Sequence, residues 1–188
     1  MEQWDILRYV HKIGSPIEGT VIGLDEYGSM LLETETGYKS LLPVMSIDES
    51  SLIPVHLPTI GQKINTVVQN FVEEVLYLSA RPSDTSTKSI QEWTSYYEFI
   101  DTLDIGKEVQ GKVSSCQPFG LFVDIGAPYI GLIDIGHIHF NRGDDLPQNR
   151  LNWPVKGEKI ICKVSYFRLH NKQIGLGWIN PDLYTTQH

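Results

Sequence analysis

Cysteine is nearly absent. Cys116 and Cys162 are the only two in 188 residues, too few for a disulfide framework and not spaced as a metal-ligand set. A reduced, cytoplasmic protein is the simplest expectation. Long apolar runs are missing too: a stretch such as Gly120 to Ile125 falls far short of the roughly 20 residues that span a bilayer, so no membrane partner is expected. Met1-Glu2-Gln3-Trp4-Asp5 has no basic region leading into an apolar run, and no secretory leader is expected. Positive charge is in deficit, with 15 Lys and Arg against 23 Asp and Glu and a net charge of -8, which speaks against an indiscriminate polyanion binder. Catalytic patterns are lacking as well. There is no phosphate loop and no nucleophile elbow, and neither cysteine has a histidine near it in sequence. His137-Ile138-His139 has no third ligand at a recognisable spacing, and Asp144-Asp145 reads as solvated charge in a polar loop. A non-enzyme without cofactor or metal is expected.

The charge that is present is uneven. Residues 1–82 hold five Lys and Arg against eleven Asp and Glu, a balance of -6, whereas residues 106–180 hold nine against six, a balance of +3. Phosphate contacts need local positive charge rather than a basic whole, and the second half can supply it.

The chain also repeats itself. Ile13-Gly14-Ser15-Pro16-Ile17-Glu18-Gly19-Thr20-Val21 aligns with Ile105-Gly106-Lys107-Glu108-Val109-Gln110-Gly111-Lys112-Val113. The same offset of 92 pairs Tyr27-Gly28 with Phe119-Gly120 and Met30 with Phe122. Ile60 to Ile64 then resembles Val155 to Ile160, and Leu76-Tyr77-Leu78-Ser79 resembles Ile174-Gly175-Leu176-Gly177. The offset drifts to 98, as small loop insertions require. Within each copy the pattern is that of short strands. Val109, Gly111 and Val113 alternate with Gln110, Lys112 and Ser114, and Val123 and Ile125 with Phe122 and Asp124, a period of two. Lys159 to Val164 and Ile174 to Trp178 are further strand candidates. Gly19 and Gly111 inside strands mark bends or close backbone approach, the corners that a small closed barrel needs. About five strands per copy fit a Greek-key barrel of the OB type.

Ser89-Ile90-Gln91-Glu92 has the form of a capping box, and Ile90, Trp93, Tyr97 and Ile100 follow at helical spacing. The aromatic side of this helix is expected to pack on a barrel, with a partner groove as the sharper alternative. Trp4, Leu7 and His11 suggest a similar lead-in helix. Arg81 to Thr87 is polar and turn-rich. The expected organisation is a lead-in helix and first barrel over 1–82, a linker with an amphipathic helix over 83–104, a second barrel over 105–180, and a tail over 181–188.

The second copy carries Gly111-Lys112-Val113, Phe119-Gly120-Leu121-Phe122-Val123-Asp124-Ile125-Gly126, Gly131-Leu132-Ile133-Asp134-Ile135, Lys156 to Ile160 and Ile174-Gly175-Leu176-Gly177. In that order these blocks resemble the S1 RNA-binding domain, the repeat unit of ribosomal protein S1. The first copy, with Gly37-Tyr38-Lys39-Ser40-Leu41-Leu42-Pro43, is similar to a diverged member. The resemblance implies a mainly β protein of two tandem five-stranded OB-fold barrels, each preceded by a short α-helix. It also implies single-stranded RNA as partner, bound on one barrel face by the aromatics of a Phe-Gly-x-Phe segment, here Phe119 and Phe122. Stacking of a base on such a ring contributes roughly 1–3 kcal/mol and tolerates any sequence; a core role for both rings is the bland alternative. Lys112, Lys163, Arg168 and Lys172 are the expected backbone contacts, with His170 and His137 as further candidates. Asp134 stands where the family often has histidine, and a carboxylate there opposes phosphate. The turn Phe167 to Gln173 is one residue longer than the usual spacing and holds no matching acidic residue. In the first copy the aromatics become Tyr27 and Met30, surrounded by Asp25, Glu26, Glu33 and Glu35. That barrel is expected to bind RNA weakly or not at all, and instead to orient the second barrel or to contact the ribosome or another protein. A long loop, His139 to Trp153, carries Arg142 and Arg150 beside Asp144 and Asp145. RNA metabolism or translation of bacterial type is the expected setting. The competing expectation is a protein-interaction scaffold of S1-like barrels without RNA binding.

Overall fold

In the computed structural model, residues 3–49, 56–137 and 153–179 are described. Among them are two closed five-stranded barrels and few helices. The chain divides into two compact units, Met1–Tyr97 and Glu98–His188. The first barrel is built from β1 (Pro16–Leu24), β2 (Met30–Thr34), β3 (Lys39–Leu42), β4 (Lys63–Val72) and β5 (Val75–Ser79). Around the barrel the order is β1-β2-β3-β5-β4, and β4 closes it on β1. The second repeats that plan with β6 (Glu108–Gln117), β7 (Gly120–Asp124), β8 (Gly131–Asp134), β9 (Lys159–Arg168) and β10 (Gln173–Trp178). All pairings are antiparallel except β3 with β5 and β8 with β10.

The period-two reading of the second copy corresponds to an inside and an outside. Val113, Leu121, Val123, Ile133, Ile160, Cys162, Val164, Ile174 and Leu176 are buried, while residues between them face out. Burial pushes the Cys162 thiol up to about 12, as expected of a small apolar core residue. Both barrels break the alternation at the same places. A register shift lies between Val21 and Gly23 in β1 and between Val113 and Ser115 in β6. A second lies between Val68 and Asn70 in β4, and β9 carries its counterpart at Ser165. Each such bulge inserts one residue and bends the strand. Gly111 is needed where β6 crosses close over β7, since a Cβ there would lie 2.4 Å from Val123 Cγ1.

Three helical expectations change in detail. Helix α3 (Thr87–Ile100) follows the short α2 (Pro82–Thr85) and starts two residues before Ser89. Its cap is Ser86, whose extended backbone precedes the first turn and whose Oγ accepts the Ser89 N–H at 3.1 Å. Ser89 therefore lies inside the first turn. The lead-in begins as α1 (Gln3–Asp5) and continues as a π-helix over Ile6–Val10, with the His11 N–H bonded to the Ile6 carbonyl. The wider winding turns Ile6 and Leu7 inward and leaves Trp4 53% exposed, so Trp4 is not on the buried face that a 3.6-residue period assigned to it. The aromatic side of α3 packs within the first unit. The Trp93 ring fills the space beside Gly14, which has φ +80 and where a Cβ would lie 2.3 Å from it. The Tyr97 hydroxyl accepts the Ile13 N–H at 3.0 Å and donates to the Leu7 carbonyl at 2.9 Å. Tyr97→Phe strips both partners of a bond inside the core, where each unpaired group is costly. We expect a loss of about 2 kcal/mol, read as a lowered chemical-denaturation midpoint at unchanged slope.

Candidate nucleic-acid interface

On β7, inward Leu121 and Val123 are fully buried and alternate with Gly120, Phe122 and Asp124. Phe122 thus faces out, half-buried, and Phe119 at the tip of the β6–β7 turn is 50% exposed. The two rings meet edge to face at 5.9 Å between centroids, a favourable aromatic geometry. The turn that presents them is tight, because Gln117 pairs directly with Gly120.

The register around the barrel carries the outward side onward through two covered positions, Leu132 and Gly175. Phe122 lies opposite Leu132, Leu132 opposite Gly175, and Gly175 opposite Tyr166. The Tyr166 ring lies flat over Gly175, where a Cβ would stand 2.6 Å from its Cε1. Its hydroxyl donates to Asp134 Oδ2 at 3.1 Å. Arg168 Nη1 stands 3.6 Å from the same oxygen, with the two side chains 34% and 37% exposed. Partial burial first, and then the Asp134 charge, raise the Tyr166 pKa, so the phenol keeps its proton at neutral pH. Asp134 itself is the direct partner of Gly120, which places the carboxylate at the margin of the two phenylalanines.

Phe119, Phe122 and Arg168 therefore come together around Asp134. Lys163 is outward on β9, opposite Gly177, and lies 3.9 Å from Glu108. His170 and Lys172 sit in the β9–β10 turn just past Arg168. Lys172 adopts a left-handed conformation there, and desolvation lowers the His170 pKa although its surface is exposed. A neutral imidazole suits stacking better than phosphate contact. Lys112 lies further along the barrel, opposite Asp124 and Lys159. These three line a separate open groove of about 440 Å³ with Gly111, Ile125 and Ile161. The backbone of His137 ends a 3-10 turn after β8, and its side chain lies outside the described residues. So do His139, Arg142, Asp144, Asp145 and Arg150.

Sequence reasoning missed Tyr166. Strict alternation from Ile160 sends Tyr166 into the core, but the bulge at Ser165 turns it out. The available signal was Gly175, a glycine within a strand and hence a place of close approach. The first copy needs a correction. Met30 is 2% exposed and belongs to the core; the outward position is Leu31, which pairs with Gly23 as Phe122 pairs with Ser115. The β1–β2 turn is one residue longer than its counterpart, and a one-residue slip reverses which face a side chain takes. Tyr27 does stand at that turn, 85% exposed, with Asp25 Oδ1 accepting the N–H groups of Tyr27 and Ser29.

A closed five-stranded barrel with this strand order is of the OB type. Within that class, residues 102–175 match the family model described as S1 RNA binding domain. Over 186 residues the chain is 28% identical to the "Small ribosomal subunit protein bS1" of Rickettsia typhi, covering 96% of this chain and 31% of that protein. It is 24% identical over 178 residues to the protein of the same name from Rhizobium meliloti, covering 94% and 30%. The chain thus spans about a third of the length of the curated relatives it matches. Among solved structures, "Solution structure of GSP13 from Bacillus subtilis" matches at a TM-score of 0.36 with 17% identity, over 46% of this chain and 72% of that one.

Proposed function

We propose that the second barrel binds single-stranded RNA without catalysing a reaction, as part of bacterial RNA metabolism or translation. The observation that carries this reading is the outward pair of Phe119, in the β6–β7 turn, and Phe122, on β7, held edge to face at 5.9 Å. A barrel surface with exposed flat rings and nearby cations is the general means of holding a single strand. Arg168, Lys163, Lys172 and, at greater distance, Lys112 supply phosphate contacts, and His170 adds a stacking surface. The family name matched at residues 102–175 and the ribosomal relatives support the same reading. The first barrel, with its acidic balance and a leucine in the place of Phe122, serves instead to contact the ribosome or another protein.

The test is a titration of a labelled single-stranded oligoribonucleotide against the whole chain at several salt concentrations. With three phosphates neutralised, log affinity should fall against log salt with a slope of roughly -2. An oligonucleotide that stays unbound at low salt overturns the reading. The scaffold alternative, which the carboxylate of Asp134 beside the rings favours, would then stand.

A further inference from the structure

We infer that Asp134 makes this face selective, favouring bases that carry an exocyclic amino group over uracil. The inference rests on the proposed stacking of bases at Phe119 and Phe122 and adds what their edges meet. Asp134 is the direct cross-strand partner of Gly120, and directly opposed residues on neighbouring strands lie only about 5 Å apart at Cα. Gly120 follows Phe119 in sequence and shares the outward side with Phe122. A base lying on those rings therefore turns an edge towards β8 and its carboxylate.

The carboxylate is held in one attitude. Oδ2 accepts the Tyr166 hydroxyl at 3.1 Å and has Arg168 Nη1 at 3.6 Å, whereas Oδ1 accepts no hydrogen bond among the described residues. An ionised carboxylate only accepts hydrogen bonds. The amino groups of cytosine, adenine and guanine can donate to Oδ1. Uracil presents carbonyl oxygens at the corresponding edge, which the carboxylate repels, and has a single N–H between them. The feature that weakens phosphate attraction at this face thus gives it a means of reading bases, as Asp and Glu accept from the cytosine amino group in other contexts. Tyr166 is a positioning residue here: it occupies Oδ2, and Gly175 beneath it gives its ring the room to do so.

The experiment compares the affinity of the whole chain for oligo(rC) and oligo(rU) of equal length at one salt concentration. These differ in the groups on the pairing edge but not in ring size. Wild type should bind oligo(rC) about tenfold more tightly. Asp134→Asn keeps the shape, and its amide can turn a donor to uracil or an acceptor to cytosine. It should bring the two affinities together, mainly by tightening oligo(rU). Tyr166→Phe should narrow the ratio without abolishing binding, a change that a purely structural tyrosine would not produce. Equal wild-type affinity for the two oligomers, or a ratio unchanged by Asp134→Asn in a variant with the wild-type circular dichroism spectrum, overturns the selectivity while leaving RNA binding intact. If neither oligomer binds at low salt, the stacking face itself is wrong and the selectivity goes with it.

Discussion

Replacing Gly120 by alanine should unfold the second barrel at a temperature roughly 15 °C lower than wild type. The reason is local and geometric. A Cβ at Gly120 would lie 2.1 Å from the Ile133 carbonyl oxygen, 3.1 Å from the Ile133 carbonyl carbon and 3.2 Å from the Asp134 Cα. All three are backbone atoms, so no rotamer change relieves the clash, and β7 must move away from β8. The glycine also holds φ +151, a conformation that L side chains rarely adopt. Overpacking and backbone strain each cost about 1–3 kcal/mol, so about 3 kcal/mol is a fair total. For a domain of this size 1 kcal/mol moves the melting temperature by roughly 4–8 °C. Differential scanning calorimetry of the whole chain should show the loss in one transition, with the transition of the first unit unmoved. Gly126→Ala is the comparison. That glycine has φ +71 and nothing within 4 Å of a Cβ, so only the left-handed penalty of about 1–2 kcal/mol applies. Equal melting of the Gly120 and Gly126 variants would mean that β7 does not approach β8 as described.

Gly120 also shows why the second barrel was largely legible in the sequence. Inward residues such as Leu121 and Val123 alternate with Phe122 and Asp124, and that period alone gives the strand and its faces. The glycines mark where strands cross closely. Parts that depend on local counting were not legible in the same way. The bulge at Ser165 shifts Tyr166 from the inside to the outside, and no residue type announces a bulge there. Met30 was assigned to the wrong face for the same reason, since the extra residue in the β1–β2 turn is invisible to an alignment with a constant offset. The lead-in helix defeats periodicity by winding with the π pitch over Ile6–Val10. Asp134 and Arg168 lie 34 positions apart by their numbers, and only the parallel pairing of β8 with β10, beside β9, brings them within 3.6 Å. The turn around Arg168 holds no acidic residue, and the fold supplies its carboxylate neighbour from another strand.

The double substitution Phe119→Ala/Phe122→Ala is expected to remove oligonucleotide binding to the limit of measurement. Each base stacked on a ring is worth roughly 1–3 kcal/mol, so loss of two platforms lowers affinity by about 2–6 kcal/mol, from roughly thirtyfold to roughly twenty thousand-fold. The single variants should not divide that loss evenly. Phe119 is more exposed, and Phe122 braces its edge at 5.9 Å. Phe122→Ala therefore removes one platform and loosens the other, while Phe119→Ala leaves Phe122 in place on β7. Phe122→Ala should be the more damaging single change, and the two effects should sum to more than the double shows, because the loosened Phe119 platform is counted in both single variants. Neither ring lies in the barrel core, so both variants should keep the wild-type melting temperature to within a few degrees. If the double variant binds as well as wild type at low salt, the contact is made by the cations alone and the aromatic pair has another purpose. If it loses binding together with its cooperative melting transition, the rings belong to the core and their outward placement is refuted.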